Sequence, residues 1–296
     1  MKKNKIKRTF IPGTEWIYFK IYTNENTADY ILLKIILPIV KKYIGKYVDK
    51  WFFIRYTDPD FHIRVRFHLT SEVNLYNICN ISKLEKELNS KRVWKIQWDT
   101  YIREIERYGK NTIELAETLF CIDSFYCLKI LALLQKSSNP LADRWFSSFI
   151  LIDNLFDAFK VPIKRRHDIL KHLSINYKLE FGFNEYNSKQ FNTLFREKKQ
   201  DIHLILTNQK NEIYYQKLYS YTTKRKEEIM ELNNEIRQEI KKDKTLNFDN
   251  LLMSYIHMTL NRLFASKPRE NELIVYNLLH RYYEGVLARK KYNHTL

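Results

Sequence analysis

The first hundred residues alternate between hydrophobic patterns typical of strands and of helices. Runs rich in aromatic and β-branched residues predict four strands, at Trp16–Tyr22, Trp51–Tyr56, His62–Leu69 and Val93–Tyr101. Helical spacing of apolar residues predicts one helix over Ala28–Ile44 and a short one near Ser82–Asn89. The turn residues Thr57-Asp58-Pro59-Asp60 join the second and third strands and predict an antiparallel hairpin. The resulting order, β-α-β-β-α-β, is that of a ferredoxin-like sheet.

Apolar residues recur every three or four positions from Tyr101 onward, which is the spacing of helices. The predicted helices are Thr112–Gln135, Ser138–Phe159, Ile163–Leu179, Tyr214–Asp243, Asn250–Phe264 and Glu270–Leu287. The segment Phe181–Gln200 is poorly patterned, and we interpret Gly182-Phe183-Asn184 as a connection. The fold class is therefore predicted as α+β. We expect a single domain over residues 1–296, with a β-rich sheet lobe at 12–105 and a mostly α-helical lobe at 106–290.

The composition excludes several classes of protein. The five glycines stand alone, so they form neither a glycine-rich phosphate-binding loop nor a serine-hydrolase elbow. The three cysteines show no CxxC and no zinc spacing, which predicts reduced thiols and a cytoplasmic protein. The longest strongly apolar stretch, Ile35–Val40, is far shorter than the roughly 20 residues of a membrane helix. We therefore expect no membrane insertion.

The chain is strongly basic. Its formal net charge is +17, from 51 Lys and Arg against 34 Asp and Glu. Such an excess can indicate a polyanionic partner such as RNA. The basic residues are dispersed along the chain, however, which favours the alternative that lysines cover solvated faces.

The strand His62–Leu69 contains the first candidate site. Its apolar residues occupy one face, and the other face carries His62, Arg64, Arg66 and His68. Arginine can bind a carboxylate or phosphate through two parallel hydrogen bonds, so this face is a candidate anion site. The alternative is that the face contacts only water. The face on which Arg55 lies depends on the register of the hairpin, which the pattern leaves open.

A second cluster lies where the last predicted strand meets the helices, at Tyr101–Gly109. Glu104 and Arg107 are three positions apart and share one face of a helical turn. The alternative is a surface ion pair of small energetic value. The junction of a strand with a helix is nevertheless a usual place for site residues.

A third cluster is a polar stripe on the otherwise apolar helix Asn250–Phe264. The stripe consists of Asn250, Ser254, His257 and Asn261. The ordinary pKa of histidine, about 6.5, suits proton transfer at neutral pH. The alternative is that His257 is a core histidine with satisfied hydrogen bonds.

Metal binding has little support in the sequence. Neither HxxxH nor HExxH occurs, and His167 and His172 lie among basic residues, which predicts surface histidines. We therefore expect no metal and no organic cofactor. No serine or cysteine stands next to an evident base, so a nucleophile is not predicted either.

Five segments, in the expected order between about residues 12 and 290, resemble one known family. They are Trp16–Tyr22, Trp51–Phe67, Trp98–Gly109, Phe120–Ser124 and Ile256–Arg262. Together they are similar to the C-terminal, glutamate-eliminating domain of class I lantibiotic dehydratases, the thiopeptide-type bacteriocin biosynthesis domain. One departure is Lys110, where the family more often has a second glycine. The long glutamylating region of full-length dehydratases is not among these segments, which indicates a stand-alone, split form.

The resemblance implies a lyase. In this family a partner subunit esterifies Ser or Thr with glutamate, and the elimination domain removes the glutamate to leave dehydroalanine or dehydrobutyrine. The family motifs place the catalytic positions on Arg64, Arg66, Glu104, Arg107 and His257. The substrate-binding candidates around them are His62, Arg55, Tyr101, Arg103, Asn261 and Arg262. The chemistry needs no cofactor.

The resemblance also suggests partners and leaves alternatives. The expected partners are a precursor peptide with glutamylated Ser or Thr and a glutamyl-tRNA-dependent glutamylating subunit; a cyclase and a second copy of the chain are further candidates. Direct tRNA binding is not expected. One alternative is a thiopeptide-type enzyme that joins two dehydroalanines into a six-membered, pyridine-type ring. The other is a non-enzymatic protein that binds RNA or a peptide.

Overall fold

The computed structural model describes residues 6–70, 82–243 and 245–293, which divide into two compact units. The first unit comprises the described residues within Met1–Ala132 and Asn234–Leu251. The second comprises those within Leu133–Asn233 and Leu252–Leu296. Of the cysteines, Cys127 is buried and Cys121 is partly buried, whereas Cys79 lies outside the described residues. That the whole chain acts as a single domain stays a prediction.

The first unit contains the four-stranded antiparallel sheet that the hydrophobic pattern predicts. After a two-residue strand, β1 (Thr9–Phe10), come β2 (Trp16–Thr23), β3 (Val48–Thr57), β4 (Phe61–Leu69) and β5 (Val93–Trp98). The strand order β3-β4-β2-β5 is that of a ferredoxin-like sheet. The predicted hairpin is confirmed, because β3 and β4 pair antiparallel with Arg55 opposite Ile63 and Phe52 opposite Arg66.

The helix predicted over Ala28–Ile44 is interrupted. It forms as α1 (Glu25–Ile31), a π-helical turn at Leu32–Ile36 and α2 (Leu37–Tyr43). The Leu37 N–H donates to the carbonyl of Leu32, five residues earlier. Pro38 follows at once and lacks an N–H, so the regular ladder of hydrogen bonds cannot continue through it. The next helix, α3 (Ser82–Asn89), forms as predicted.

The last predicted strand ends earlier than its pattern suggests. Val93–Tyr101 is divided into β5 and β6 (Tyr101–Ile102), and β6 pairs with β1 in a separate two-stranded sheet. Asp99 breaks the strand because its side chain accepts a hydrogen bond from the Thr100 N–H (2.7 Å) and pairs with Lys20 (2.5 Å).

Helices make up the rest of the chain. They are α4 (Ile105–Tyr108), α5 (Ile113–Leu134), α6 (Pro140–Ala158), α7 (Ile163–Glu180), α8 (Glu185–Leu206), α9 (Ile213–Lys242), α10 (Phe248–Leu263) and α11 (Pro268–Asn293). Helix α8 was not predicted, because only Ile202 and Ile205 of its side chains are buried. Its start depends on local chemistry: Asn184 and Asn187 form a reciprocal capping box. Within the ranges described, none of these helices has the length and apolar character needed to span a membrane.

Candidate active site

Arg64 and Arg66 lie on the same face of β4. The register places Tyr18 and Phe52 on either side of Arg66, and Lys20 beside Arg64. Directly opposed residues of paired strands share a face of the sheet. We call these five residues the arginine face. It combines cations with aromatic rings, which distinguishes it from an ordinary solvated polar face.

Arg66 is held among three aromatic rings. Its guanidinium carbon lies 4.3 Å from the ring centroid of Tyr18, 5.1 Å from that of Phe52 and 4.8 Å from that of Tyr101. Cation–π contacts of this kind orient a guanidinium without consuming its N–H donors. The residue is only 7% exposed, and its Nε has no hydrogen-bond partner among the described residues. A fixed, buried cation with an unsatisfied donor is suited to bind an oxyanion.

His62 is completely buried and holds Arg64. Its Nδ1–H donates to the carbonyl of Asp60 (2.8 Å), and its Nε2 accepts from Nε of Arg64 (3.0 Å). Burial lowers the pKa of His62, which keeps the imidazole neutral and able to accept. Arg64 also stacks on Tyr56, 3.5 Å from the ring centroid. Because His62 has no exposed surface, we assign it to orienting Arg64 and not to contacting a substrate.

Arg55 does not join the arginine face. It pairs with Ile63 across the hairpin and therefore lies on the opposite face of the sheet. Its side chain is 3% exposed, and its Nη2 lies 2.5 Å from Oδ1 of Asp29 in α1. This arrangement anchors α1 to the sheet, so we do not retain Arg55 as a substrate-binding candidate.

Tyr101 and Arg103 share a buried carboxylate. Glu117 is fully buried, and its Oε1 accepts from the Tyr101 hydroxyl (2.8 Å) and from Arg103 Nε (2.7 Å). Arg103 Nη2 donates to the second oxygen (2.7 Å), which completes a bidentate pair. Burial, with the charge of Glu117, raises the pKa of Tyr101 well above its usual range. Through Glu117, Arg103 therefore holds Tyr101 in place against Arg66. Arg103 itself is buried, so we do not assign it to contacting a substrate.

Glu104 immediately precedes the short helix α4, Arg107 lies within it, and both side chains are exposed. Arg107 Nη1 lies 3.7 Å from Oε2 of Glu104, and the guanidinium lies 5.5 Å from the ring centroid of Tyr108. The backbone then turns at Gly109, whose φ of +78° favours glycine. A side chain at this position would also collide with Leu246. The ion pair that the sequence spacing predicts is therefore present.

His257 in α10 pairs with a buried carboxylate of the second unit. Its Nδ1 lies 2.7 Å from Oε1 of Glu272 in α11. A carboxylate only accepts, so Nδ1 carries the hydrogen and Nε2 carries the lone pair of the neutral ring. The side chain of Glu272 is 1% exposed, whereas that of His257 is 30% exposed. This contact fixes the orientation of the ring and, in the neutral form, the position of its hydrogen.

Glu272 is itself held on its second oxygen. Oε2 accepts from the Tyr177 hydroxyl and from Arg269 Nη1 (3.3 Å). Arg269 also donates to Tyr177, so the three groups form a closed network around the carboxylate. A buried carboxylate is stable in such a setting because each oxygen has a donor.

The remaining members of the polar stripe differ in exposure. Ser254, His257 and Asn261 are partly exposed along α10, and Asn250 is exposed. Arg262 is fully buried, and its Nη1 donates to the carbonyl of Met258 in its own helix (3.0 Å). Asn261 thus stays a substrate-binding candidate, and Arg262 does not.

Sequence reasoning missed Glu272. It was not singled out because Arg269 and Glu270 lie close by and the whole segment looks like a charged helix start. One signal was available: Val275, Tyr276 and Leu279 follow it at three, four and seven positions. That spacing places the carboxylate on the apolar face of the helix, where an unpaired charge is costly.

Comparison with known proteins identifies a family and individual relatives. The model of a family described as lantibiotic biosynthesis dehydratase C-term matches residues 16–283. Nisin biosynthesis protein NisB of Lactococcus lactis subsp. lactis is 34% identical over 135 residues, which are 45% of this chain and 13% of NisB. Subtilin biosynthesis protein SpaB of Bacillus subtilis is 27% identical over 179 residues, 59% of this chain and 17% of SpaB. The chain thus spans less than a fifth of the length of either relative.

Solved structures show the same fold. The tRNA dependent lantibiotic dehydratase MibB from Microbispora sp. 107891 aligns with a TM-score of 0.70 and 20% identity, covering 95% of this chain and 29% of MibB. The pyridine synthase TbtD from thiomuracin biosynthesis aligns with a TM-score of 0.60 and 10% identity, covering 92% of this chain and 99% of TbtD. At these identities the likeness concerns the fold alone.

Proposed function

The chain belongs to the lantibiotic biosynthesis dehydratase C-terminal family, and from this premise we propose that it is a glutamate-eliminating lyase. Its substrate is a precursor peptide in which a Ser or Thr side chain carries a glutamyl ester, installed by a separate glutamyl-tRNA-dependent subunit. The reaction releases glutamate. It leaves dehydroalanine from Ser and dehydrobutyrine from Thr.

In the proposed reaction, His257 is the base. Its Nε2 takes the proton from Cα of the esterified residue. The electron pair of the broken C–H bond forms the Cα=Cβ double bond, the Cβ–O bond breaks, and glutamate leaves as a carboxylate. Glu272 is a positioning residue: it holds the imidazole in the tautomer that accepts at Nε2 and stabilises the imidazolium that forms.

Arg66 stabilises the developing negative charge. Removal of the Cα proton shifts charge onto the oxygen of the adjacent peptide carbonyl, as in an enolate. A cation that is already fixed and desolvated lowers this barrier without reorganising during the reaction. The three rings around Arg66 supply that fixation, and its Nε supplies a donor.

The remaining residues bind the glutamyl group. Arg64, oriented by His62, binds a carboxylate of the glutamyl group. Arg107 stabilises the departing carboxylate, and the exposed Glu104 binds the glutamyl ammonium. Lysine at these arginine positions would keep the charge but lose the bidentate geometry.

The observation that carries the proposal is the pairing of His257 with the buried Glu272. A partly exposed imidazole on a buried carboxylate is an arrangement for proton transfer, which a protein that only binds RNA or a peptide does not need. The likeness to a pyridine synthase concerns the fold, and no contact in the described residues specifically favours ring formation. We prefer elimination because it assigns a role to His257 and to each of the other family positions.

The test is a mass measurement on a defined substrate. A synthetic peptide with one glutamyl-Ser ester is incubated with the wild-type chain, with His257→Gln and with His172→Gln. His172 is an exposed histidine in α7 and serves as a matched control. We expect wild type and His172→Gln to release glutamate and form dehydroalanine, and His257→Gln to leave the ester intact.

Other outcomes would reject the proposal. Equal turnover by the folded His257→Gln variant would show that the histidine is structural. No loss of glutamate with any protein, together with ring formation on a peptide containing two dehydroalanines, would favour pyridine synthesis. Tight, salt-dependent RNA binding without any turnover would favour the binding protein.

A further inference from the structure

Two histidines and a carboxylate converge in the second unit, on helices α7 and α11. His167 lies on α7, and His280 and Glu284 lie four residues apart on one face of α11. One ligand atom from each of the three residues lies within 4.8 Å of the other two. The imidazole centroids of His167 and His280 are 4.8 Å apart. The sequence pattern predicts His167 at the surface, but the folded chain buries it to 9% exposure.

We propose that His167, His280 and Glu284 bind a divalent transition-metal ion of the zinc type. Two imidazoles and one carboxylate are a ligand set that suits Zn²⁺ and its neighbours in the first transition series. They suit Mg²⁺ and Ca²⁺ poorly, since these ions prefer all-oxygen sites. Three protein ligands leave one position of a tetrahedral ion for water or another small ligand.

His280 provides the main reason for a bound ligand. Its Nε2 is buried and has no hydrogen-bond partner among the described residues. Leaving a buried polar atom unpaired is unfavourable, and a metal ion would satisfy it. A neutral imidazole carries its hydrogen on only one nitrogen, so Nε2 of His280 can be the atom that binds the metal. Metal binding requires that neutral form.

His167 is oriented as metal-binding histidines usually are. Its Nδ1 lies 2.9 Å from Oδ1 of Asp168, so Nδ1 donates to the carboxylate and Nε2 carries the lone pair that can bind a metal. Such outer carboxylates fix the tautomer and raise the basicity of the ligating nitrogen. Lys164 Nζ donates to the same oxygen of Asp168, at 3.1 Å.

Two features set the expected affinity. Ligand atoms around tetrahedral zinc are about 3.4 Å apart, given bonds of about 2.1 Å. Separations of up to 4.8 Å must therefore close by up to about 1.4 Å, through rotation of the three side chains. Lys171 and Lys178 contribute positive charge near His280 and oppose a cation. Affinity should accordingly be weaker than that of a structural zinc finger.

The test uses Zn²⁺ and Co²⁺ with the full chain after removal of metals by chelation. We expect one equivalent of Zn²⁺ to bind with a Kd tighter than about 10 μM. Co²⁺ should give the visible absorption bands of a four-coordinate ion, and Zn²⁺ should raise the melting temperature. His280→Gln and Glu284→Gln should each weaken binding by about 100-fold or more, and Asp168→Asn by about 10-fold.

The control is His172→Gln, which removes an exposed histidine from the same helix and should bind as wild type does. Glu284 is exposed, so Glu284→Gln should fold normally. This variant keeps the test valid if His280→Gln fails to fold. Binding that is absent in wild type would overturn the proposal. So would affinity that is unchanged in Glu284→Gln, or lost in His172→Gln. The result does not depend on the proposed elimination, because every readout is metal binding or stability.

Discussion

Glu272→Gln is the substitution that most sharply separates a catalytic arrangement from an ordinary buried ion pair. The carboxylate accepts from His257 on one oxygen and from Tyr177 and Arg269 on the other. A glutamine has one acceptor and one NH₂ donor in place of these two acceptors. If the glutamine oxygen faces His257, the NH₂ group faces Tyr177 and Arg269, which both donate hydrogen bonds in the wild type. If its NH₂ faces His257, the imidazole must carry its hydrogen on Nε2 and cannot accept a proton there.

Either orientation of the glutamine amide should lower the activity. General acid–base catalysis contributes about 10²–10⁴-fold, so turnover should fall by that amount, which corresponds to about 3–5 kcal/mol in the barrier. Replacing a charged acceptor by an amide with a mismatched donor should cost about 1–3 kcal/mol of folding free energy. The melting temperature should therefore fall by a few degrees while the protein stays folded at 25 °C.

The assay measures turnover of a glutamyl-Ser peptide and the melting temperature on the same preparation. Glu270→Gln, an exposed position on the same helix, is the control and should match wild type in both. The loss should appear in kcat and not in KM, because Glu272 acts through His257 and does not contact the substrate. Turnover per folded Glu272→Gln molecule within about threefold of wild type would refute the assignment, since it falls far short of the contribution of a general base.

Substitutions at three further positions test the first unit. Arg66→Lys should lower the rate of elimination at least about 10-fold, because lysine lacks the planar donor geometry of arginine. Arg66→Ala should also lower the melting temperature, since each lost ring contact is worth about 0.5–2 kcal/mol. Wild-type turnover in both variants would exclude Arg66 as a catalytic residue. Arg103→Ala should lower the free energy of unfolding in denaturant by about 3–5 kcal/mol, because Glu117 would remain buried without its cation. A stable variant with a raised KM would instead indicate that Arg103 binds the substrate. Gly109→Ala should cost about 1–3 kcal/mol, because alanine is strained at the φ of +78° and its Cβ would collide with Leu246 and Thr112. An unchanged unfolding midpoint would contradict this backbone conformation.

The alternation of residues along His62–Leu69 was enough to place Arg64 and Arg66 together, because a strand has only two faces. The alternation alone left the face of Arg55 open, because that face depends on the register of the hairpin. The hairpin pairs Thr57 with Phe61 around Asp58, Pro59 and Asp60, and one residue more or fewer in that turn would move Arg55 to the other face. Turn residues indicate that a hairpin forms, but they did not fix its length.

Contacts between distant segments were beyond the sequence pattern. Glu272 and His257 belong to neighbouring helices, and the partner of a histidine on another helix depends on tertiary packing. His167 and His280 are 113 positions apart and share no motif, so their approach appears only in the folded chain. Helix α8 was missed for a different reason: with few buried side chains it lacks a clear apolar stripe.

The central claim is that this chain removes the Cα proton and expels glutamate from the same residue. The most direct measurement uses a glutamyl-Ser peptide deuterated at Cα, with mass analysis of the peptide product. We predict that glutamate release is accompanied by loss of the deuterium, formation of dehydroalanine, and slower turnover than with the undeuterated peptide when proton removal limits the rate. Release of glutamate that regenerates Ser with its deuterium retained would identify an ester hydrolase, and would contradict the account.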